Sequence, residues 1–128
     1  MGIGLESASS AEVYNNTIYQ EHSYPNAIEY RFSGTSATIK NNLSNKAITK
    51  RDSGVATLGA NLTTAQSSWF TNRSIFDYSL TAAGNSAKDS GEILPSVSVD
   101  IRGNSRDNSP SIGAFEASGS TTCTPNWS

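Results

Sequence analysis

Residues 26–31, Asn-Ala-Ile-Glu-Tyr-Arg, recur in altered form as residues 46–51, Lys-Ala-Ile-Thr-Lys-Arg, at a spacing of 20 residues. The tripeptide that begins at Asn42 recurs at Asn61, one residue short of the same period. A period near 20 built from short alternating runs is typical of a solenoid whose every turn is one coil of parallel β-structure. Equivalent positions in neighbouring coils then lie about one strand spacing apart, roughly 4.8 Å. The repeat therefore predicts which side chains touch.

Three short stretches, at residues 11–19, 37–43 and 56–62, each place apolar residues on either side of asparagine. We interpret each stretch as a strand that enters a corner. Asparagine tolerates the left-handed backbone of a sharp bend, and its side chain can hydrogen-bond the same group one coil away. We therefore expect the corner residues to form an internal ladder of Asn16, Asn42 and Asn61.

Composition and charge exclude several classes of function. Hydrophobic residues make up 35% of the 128 residues and charged residues 16%, which suits short strands and tight corners but also disorder. The net charge of −2 argues against nucleic-acid binding, which normally needs a basic face. No apolar run reaches the roughly 18 residues of a membrane span, and the N-terminus lacks a signal-peptide pattern. With one cysteine, Cys123, and one histidine, a structural zinc site is not expected.

Residues 20–25 lengthen the first interval between asparagine pairs, and we interpret them as a loop that protrudes from the coil. The loop carries His22 and Tyr24, which could contact a sugar ring. The alternative is that His22 is a solvated loop residue, as a lone histidine on a loop usually is.

A cluster of basic residues gives a second candidate ligand site. Arg31 and Arg51 are related by the repeat and should lie on neighbouring coils, with Lys50 beside them. Like charges at this distance repel unless an anion bridges them, so a groove for uronic-acid sugars is one hypothesis. The other is a solvated face on which Glu29 and Asp52 are local counter-ions, and we favour it because exposed charge pairs usually contribute little.

Four sequence runs follow one another in the C-terminal section. They are residues 76–84 (Phe-Asp-Tyr-Ser-Leu-Thr-Ala-Ala-Gly), 87–91 (Ala-Lys-Asp-Ser-Gly), 100–106 (Asp-Ile-Arg-Gly-Asn-Ser-Arg) and 110–116 (Pro-Ser-Ile-Gly-Ala-Phe-Glu). In this order they resemble the C-terminal end of bacterial right-handed parallel β-helix proteins of the pectate-lyase-like superfamily. Ser86 and Lys88 depart from the resemblance, since members usually have Pro and Ile there.

The resemblance implies an all-β fold, a right-handed parallel β-helix, and the repeat length leaves room in this chain for a fragment of about three coils. It would occupy residues 1–116, with an irregular C-terminal cap from about residue 71 in which Ile112 and Phe115 cover the last coil. The composition, rich in Ser and Thr from Ala117 onwards, predicts that residues 117–128 are a linker or disordered tail.

The resemblance also implies a function, the C-terminal segment of a secreted or cell-surface carbohydrate-active protein that gives stability and polysaccharide contacts. The alternative is a structural or adhesive stalk with no ligand or catalytic activity of its own. The parent could be a polysaccharide lyase or a glycoside hydrolase. Hydrolases of this superfamily use clustered aspartates, and Asp52 has Phe32 rather than an acid at the equivalent place one coil up. Whether the chain is an enzyme stays open, with no catalytic residue assigned.

Asp100 and Arg106 stand in a glycine-containing loop. We expect Arg106 to tie down Asp100 and the backbone of the closing segment, because arginine clamps commonly fix loops. Calcium ligation by Asp100, Asn104 and Asp107 is an alternative for hard oxygen ligands, but the spacing is not that of an EF-hand. No cofactor and no metal are therefore expected.

The N-terminal end is expected to mediate self-association. Residues 1–10 are mostly small and polar and offer no evident cover for the first coil. Val13 and Ile18 would then face water beside a row of unpaired backbone groups. Two such ends could pair in an isologous dimer.

Overall fold

A computed structural model describes residues 1–117 of this chain as an all-β structure built mainly from short parallel strands. Its strands are β1 (Ile3–Glu6), β2 (Ala11–Tyr14), β3 (Thr17–Ile18), β4 (Asn26–Arg31), β5 (Ser36–Lys40), β6 (Leu43–Ser44), β7 (Ala47–Arg51), β8 (Val55–Gly59), β9 (Phe70–Asn72) and β10 (Asp77–Leu80). The all-β class and the parallel pairing predicted from the repeat are confirmed. The expected linker at 117–128 lies, apart from Ala117, outside the described residues.

The helices of the described residues are three short 3-10 turns, at Ser67–Trp69, Arg73–Ile75 and Ala82–Gly84. Nothing helical in residues 1–117 has the length and apolar character needed to cross a bilayer.

The parallel strands form three sheets, which the chain visits in a fixed order. Sheet A contains β1, β4 and β7, sheet B contains β2, β5 and β8, and sheet C contains β3 and β6. A bridge between Leu43 and Leu62 extends sheet C by one more position. We call each passage through the three sheets a coil, so that coil 1 contains β1–β3, coil 2 contains β4–β6, and coil 3 contains β7, β8 and Leu62.

Register follows the sequence repeat. Ile28 of β4 pairs with Ile48 of β7, and Arg31 pairs with Arg51. The alternation of the strands sends every second side chain inwards, so isoleucines stack on isoleucines while the charged residues share the outer face. The 20-residue period thus fixes which side chains are neighbours.

Two hydrophobic cores result. The first is formed by inward side chains of sheets A and B, namely Val13, Ala27, Ile28, Tyr30, Ala37 and Ile39. The second joins sheet C to residues 85–117, which we call the C-terminal segment, and contains Leu43, Ala65, Phe70, Ala87 and Ile112. The ring of Phe70 packs edge-on between two tyrosines, 5.6 Å from Tyr19 and 5.2 Å from Tyr78. A segment without the repeat is therefore attached to the side of the coils by apolar packing.

The corner asparagines form the ladder, but the left-handed residue is the one before each of them. The backbone N–H and Nδ2 of Asn16 donate to Oδ1 of Asn42, at 3.0 and 2.9 Å. Asn42 donates in the same way to Oδ1 of Asn61, at 3.0 Å for each bond. The positive φ angles belong to Asn15 (54°), Asn41 (61°) and Ala60 (53°), so placing the bend on the ladder residues was wrong by one position.

The C-terminal segment does not cover the last coil, which corrects the expected cap. Its backbone lies beside coils 1 and 2, where the Gly113 N–H donates to the Asn41 carbonyl at 2.7 Å and the Ala114 N–H to Thr17 Oγ1 at 2.9 Å. The approach is so close that a Cβ on Gly113, whose φ is 98°, would stand 2.7 Å from that hydroxyl. Among residues 1–117 nothing covers the end of coil 3, where Leu58 is 48% exposed.

Residues 1–10 contribute more to the first coil than their composition indicates. They contain β1, which pairs with β4 through Ile3 and Ile28. Val13 is only 7% exposed and Ile18 is half-buried, because Ile3, Leu5 and Ile18 pack around the core that holds Val13. The expectation that Val13 and Ile18 face water was therefore wrong. The outer edge of β1, on the side away from β4, has no strand partner within the described residues.

Replacing Asn42 with Leu should lower the free energy of unfolding by about 1–3 kcal/mol, because Asn16, Val13 and Asn61 would lose hydrogen-bond partners in a buried corner. Urea denaturation followed by circular dichroism measures the change. Asn61→Leu is the matched control at the more exposed end of the ladder and should cost less. Equal losses in the two variants would contradict the graded ladder.

Replacing Ala60 with Gly should raise the free energy of unfolding by about 0.5–1 kcal/mol. Alanine at a φ of 53° is strained, and relief of that strain outweighs the entropy that glycine adds to the unfolded chain. Ala56→Gly, in the adjoining strand β8, is the control and should destabilise. The interpretation fails if both glycine variants lose stability.

Candidate functional site

The outer face of sheet A carries the side chains that the sequence singles out for ligand binding. In β4 the inward residues Ile28 and Tyr30 belong to the first core, so Glu29 and Arg31 project from the opposite face. Register places Arg51 of β7 beside Arg31. The two arginines are thus neighbours, as the repeat predicts.

A buried carboxylate organises this face. The Glu29 side chain is 4% exposed and forms an ion pair with Arg51, Oε1 to Nη1, at 2.9 Å. Its Oε2 accepts hydrogen bonds from Asn26 Nδ2 at 2.7 Å and from the Tyr24 hydroxyl. Thr49 Oγ1 donates to Asn26 Oδ1 at 2.7 Å and so orients that amide. We call these five residues the Glu29 cluster.

Hydrogen bonds at the base of the 20–25 loop bring Tyr24 to the cluster. The Gln20 N–H donates to Asn45 Oδ1 at 2.8 Å, and Asn45 Nδ2 donates back to the Gln20 carbonyl at 2.7 Å. The loop was expected to protrude, and its exposed His22 still does. Tyr24, however, folds back onto Glu29, and its N–H donates to His22 Nδ1 at 3.3 Å. Of the two loop residues, Tyr24 thus joins the cluster.

The hydrogen bonds to Glu29 shift the titration of the cluster. Asn26 first, then Tyr24 and Arg51, lower the pKa of Glu29 to about 2. The same contacts raise the pKa of the Tyr24 phenol and of the Arg51 guanidinium, in each case chiefly through the hydrogen bond to Glu29. Glu29 is therefore ionised at neutral pH, so it has no proton to donate as a general acid.

Arg31 is paired separately. Its Nη2 lies 2.5 Å from Asp52 of coil 3, and its Nη1 lies 3.8 Å from Glu6 of coil 1. The guanidinium carbon also stacks 4.3 Å from the centre of the Phe32 ring. Glu29 and Asp52 are thus counter-ions of the two arginines, as expected for a face without a bound anion. Each pairs across coils, Glu29 of coil 2 with Arg51 of coil 3 and Asp52 of coil 3 with Arg31 of coil 2.

Lys50 does not join this group. It is exposed and pairs in register with Tyr30, whose ring points into the first core, so Lys50 lies in an inward column at the open end of coil 3. The residues proposed for ligand binding therefore divide. Tyr24 and Arg51 meet through Glu29, Arg31 is bound to other carboxylates, and Lys50 lies on the other side of its strand.

Arg106 binds the backbone of the closing segment, residues 110–116, and forms its ion pair with a different carboxylate from the one expected. Its Nη1 and Nη2 donate to the carbonyls of Ser111 at 3.2 Å and Gly113 at 3.0 Å. Its ion pair is with Glu116, at 3.6 Å, rather than with Asp100. Burial lowers the pKa of the Arg106 guanidinium, while the charges of the Glu116 and Asp100 carboxylates oppose that effect. The backbone part of the predicted clamp is thus present, and Glu116 takes the acidic role.

Asp100 is turned towards the protein backbone, which does not suit the calcium alternative. Its Oδ1 accepts the N–H groups of Arg102 and Asn104, both at 2.9 Å, and its Oδ2 accepts the Glu116 N–H at 2.9 Å. Asp107 Oδ1 accepts the Ser109 N–H at 2.8 Å. Among residues 1–117 the structure has no group of three or more His, Cys, Asp or Glu side chains placed to hold a metal ion.

One surface feature was missed at the level of sequence. An open apolar hollow of about 380 Å³ lies between the C-terminal segment and the 3-10 turn at Arg73–Ile75. Phe76 lines it, 71% exposed and in the left-handed conformation with a φ of 60°. The adjacent apolar residues Ile75 and Phe76 were the available signal, but the repeat gives no register for this part of the chain.

Lowering the pH from about 5 to about 2 should destabilise the protein partly through Glu29. Its folded pKa lies below the ordinary value of 4.5, so its contribution is complete above that value and is lost as the pH falls towards 2. Urea denaturation across this range should show a shallower loss of stability for Glu29→Gln than for the wild type. Glu12→Gln, at an exposed glutamate of β2, is the control. Superimposable pH profiles for wild type and Glu29→Gln would contradict this assignment.

Comparison with protein families, with curated proteins and with solved structures finds no match.

Proposed function

We propose that this chain is an architectural segment, a right-handed parallel β-helix that forms part of the stalk of a secreted or cell-surface protein. In this role it has no ligand or catalytic activity of its own. Its role is to form a rigid stack of coils, which the C-terminal segment stabilises by packing along their side. The secreted or surface location of the parent rests on the family resemblance of the C-terminal runs.

The β-helix assignment draws support from the path of the chain. Three sheets are visited in the same order in successive coils, and asparagine side chains join the coils at one corner. Parallel strands joined by such crossovers are right-handed in nearly all proteins. Both features belong to a stack that can lengthen by whole coils without changing its cross-section.

The observation that carries the architectural role is the neutralisation of both outer arginines by the chain itself. A uronic-acid carboxylate would have to displace Glu29 from Arg51 or Asp52 from Arg31. Glu29 is the harder to displace, because it is buried and also holds Asn26 and Tyr24. Ion pairs of this kind connect coil 2 to coil 3 and so stiffen the stack.

Saccharide contact is the second candidate, and exposed aromatic rings favour it. Phe76 is the most exposed of them and borders the apolar hollow, while Tyr24 and Phe32 are partly exposed on the face of sheet A. A neutral sugar could pack on such rings without needing a free cation. This candidate therefore differs from the acidic groove expected from the sequence, since it uses other residues and another sugar chemistry.

A glycan array with acidic and neutral polysaccharides tests the two candidates on the full chain. We expect no specific binding, because both outer arginines are neutralised. Arg51→Gln and Phe76→Ala are run in parallel as matched variants on the two surfaces. Specific binding that Phe76→Ala abolishes would establish the second candidate, and binding that Arg51→Gln abolishes would show that the internal ion pairs do yield to a ligand.

A further inference from the structure

The end of coil 3 could accept a further coil, because its strands have no partners on that side within the described residues. Within the described residues, β7 pairs only with β4 and β8 only with β5, so each has a free edge. The inward side chains Ile48 and Leu58 border an open hollow of about 380 Å³ at this end. Free edges beside exposed apolar side chains are sites where a further strand adds.

The end of coil 1 has the complementary free edge. Strands β1, β2 and β3 each have a single partner, in coil 2, within residues 1–117. Ile3 and Leu5 of β1 and Ala11 of β2 pack inwards and are partly exposed at this end. Both ends of the stack thus offer parallel strands with inward apolar residues.

Continuing the observed register past coil 3 places apolar residues under apolar residues in two of the inward columns. Ile3 pairs with Ile28 and Ile28 with Ile48, so a coil 1 stacked below coil 3 sets Ile3 under Ile48. In sheet B the same step sets Val13 under Leu58, through their common partner Ile39. These two apolar columns of the first core would then continue, whereas the third inward column would set Leu5 under Lys50, through their common partner Tyr30.

The charges at the two ends are also complementary. Arg31 lies between carboxylates of both neighbouring coils, Glu6 on one side and Asp52 on the other. Arg51 has Glu29 on its coil 2 side, and the continued register places Glu6 of a second copy on its other side. A two-fold contact between two coil 1 ends, or between two coil 3 ends, would instead set their strands antiparallel and would not continue this register.

The asparagine ladder ends in matching groups. Each ladder side chain accepts the N–H groups of the preceding coil at its Oδ1, as Asn61 does from Asn42. At the ends of the ladder, the Asn61 N–H and the Asn16 Oδ1 have no partner within residues 1–117. A coil 1 stacked below coil 3 brings this donor to this acceptor.

We propose that copies of this chain associate head to tail, with the coil 3 end of one copy docked on the coil 1 end of the next. The proposal deepens the architectural role and rests on it, since it makes a second copy of the chain the partner. Such a contact is heterologous and leaves a free end of each kind, so it propagates rather than closing at a dimer. It therefore differs from the two-fold contact between coil 1 ends expected from the sequence.

Blocking one end at a time tests the arrangement. Leu58→Lys places an ammonium group in the apolar column at the coil 3 end, and Leu5→Lys does so at the coil 1 end, opposite Lys50 of the next copy. Each variant alone should have association weakened by about tenfold or more, measured by sedimentation between about 1 μM and about 1 mM. An equimolar mixture of the two should form a 1:1 dimer, because one unblocked end of each kind remains.

Controls keep the outcomes separate. Val55→Lys adds the same charge to the same strand as Leu58→Lys, but outside the inward column, and should associate like the wild type. Circular dichroism verifies folding, and Glu6→Lys, at an exposed side chain that would oppose Arg51, replaces Leu5→Lys if that variant fails to fold.

Two results would overturn head-to-tail stacking. Full self-association of Leu58→Lys, with loss in Leu5→Lys, would show that coil 1 ends pair with each other. A wild-type chain that stays monomeric throughout would show that the second copy is not the occupant of this end, and would leave the architectural role standing. Specific polysaccharide binding, by contrast, would overturn the architectural role and leave the sedimentation result unaffected.

Discussion

Paired asparagines at the corner between sheets B and C hold this structure together in two directions. Asn42 bonds to the coils on either side through its amide, while its neighbour Asn41 turns outwards and bonds to the C-terminal segment through both amide atoms, with Glu92 as partner. Both side chains are buried, so each unmade hydrogen bond would leave a desolvated amide group. Adjacent residues thus couple the stacking of the coils to the docking of the C-terminal segment. At this corner all the amide groups are satisfied only when the neighbouring coils and the C-terminal segment are both in place.

Much of the stack could be predicted from the sequence because a repeat carries register. The spacing of 20 residues places Ile28 on Ile48 and Arg31 on Arg51, and the asparagine spacing places the ladder. These predictions need only the alternation of strands and the distance between them. Strand β1 was missed although Ile3 belongs to the same column, because the 20–25 loop lengthens the interval from Ile3 to Ile28 and hides the repeat.

The position of the C-terminal segment could not be predicted in this way. It has no repeat, so periodicity says nothing about which coil it contacts. Its place depends on single hydrogen bonds between parts of the chain distant in sequence, such as Gly113 to Asn41, and on the fit of Ile112 into the second core. The resemblance to family caps indicated an end position, whereas Asn15 and Asn41 hold the segment at the side. At coil 3 the corresponding residue is Ala60, which has no amide side chain to take part in such docking.

In the candidate site, strand alternation determines which face a side chain lies on, whereas the 20–25 loop determines whether that side chain is buried. Alternation correctly sends Glu29 and Arg51 to the outer face, and an outer position on a strand ordinarily means exposure. Glu29 is buried because the 20–25 loop returns and brings Tyr24 over it, which the loop composition does not reveal. The consequence for function is direct. An arginine whose carboxylate partner is ionised and buried has its charge satisfied before any ligand arrives, so adjacent arginines on a repeat join one coil to the next and need no anion between them.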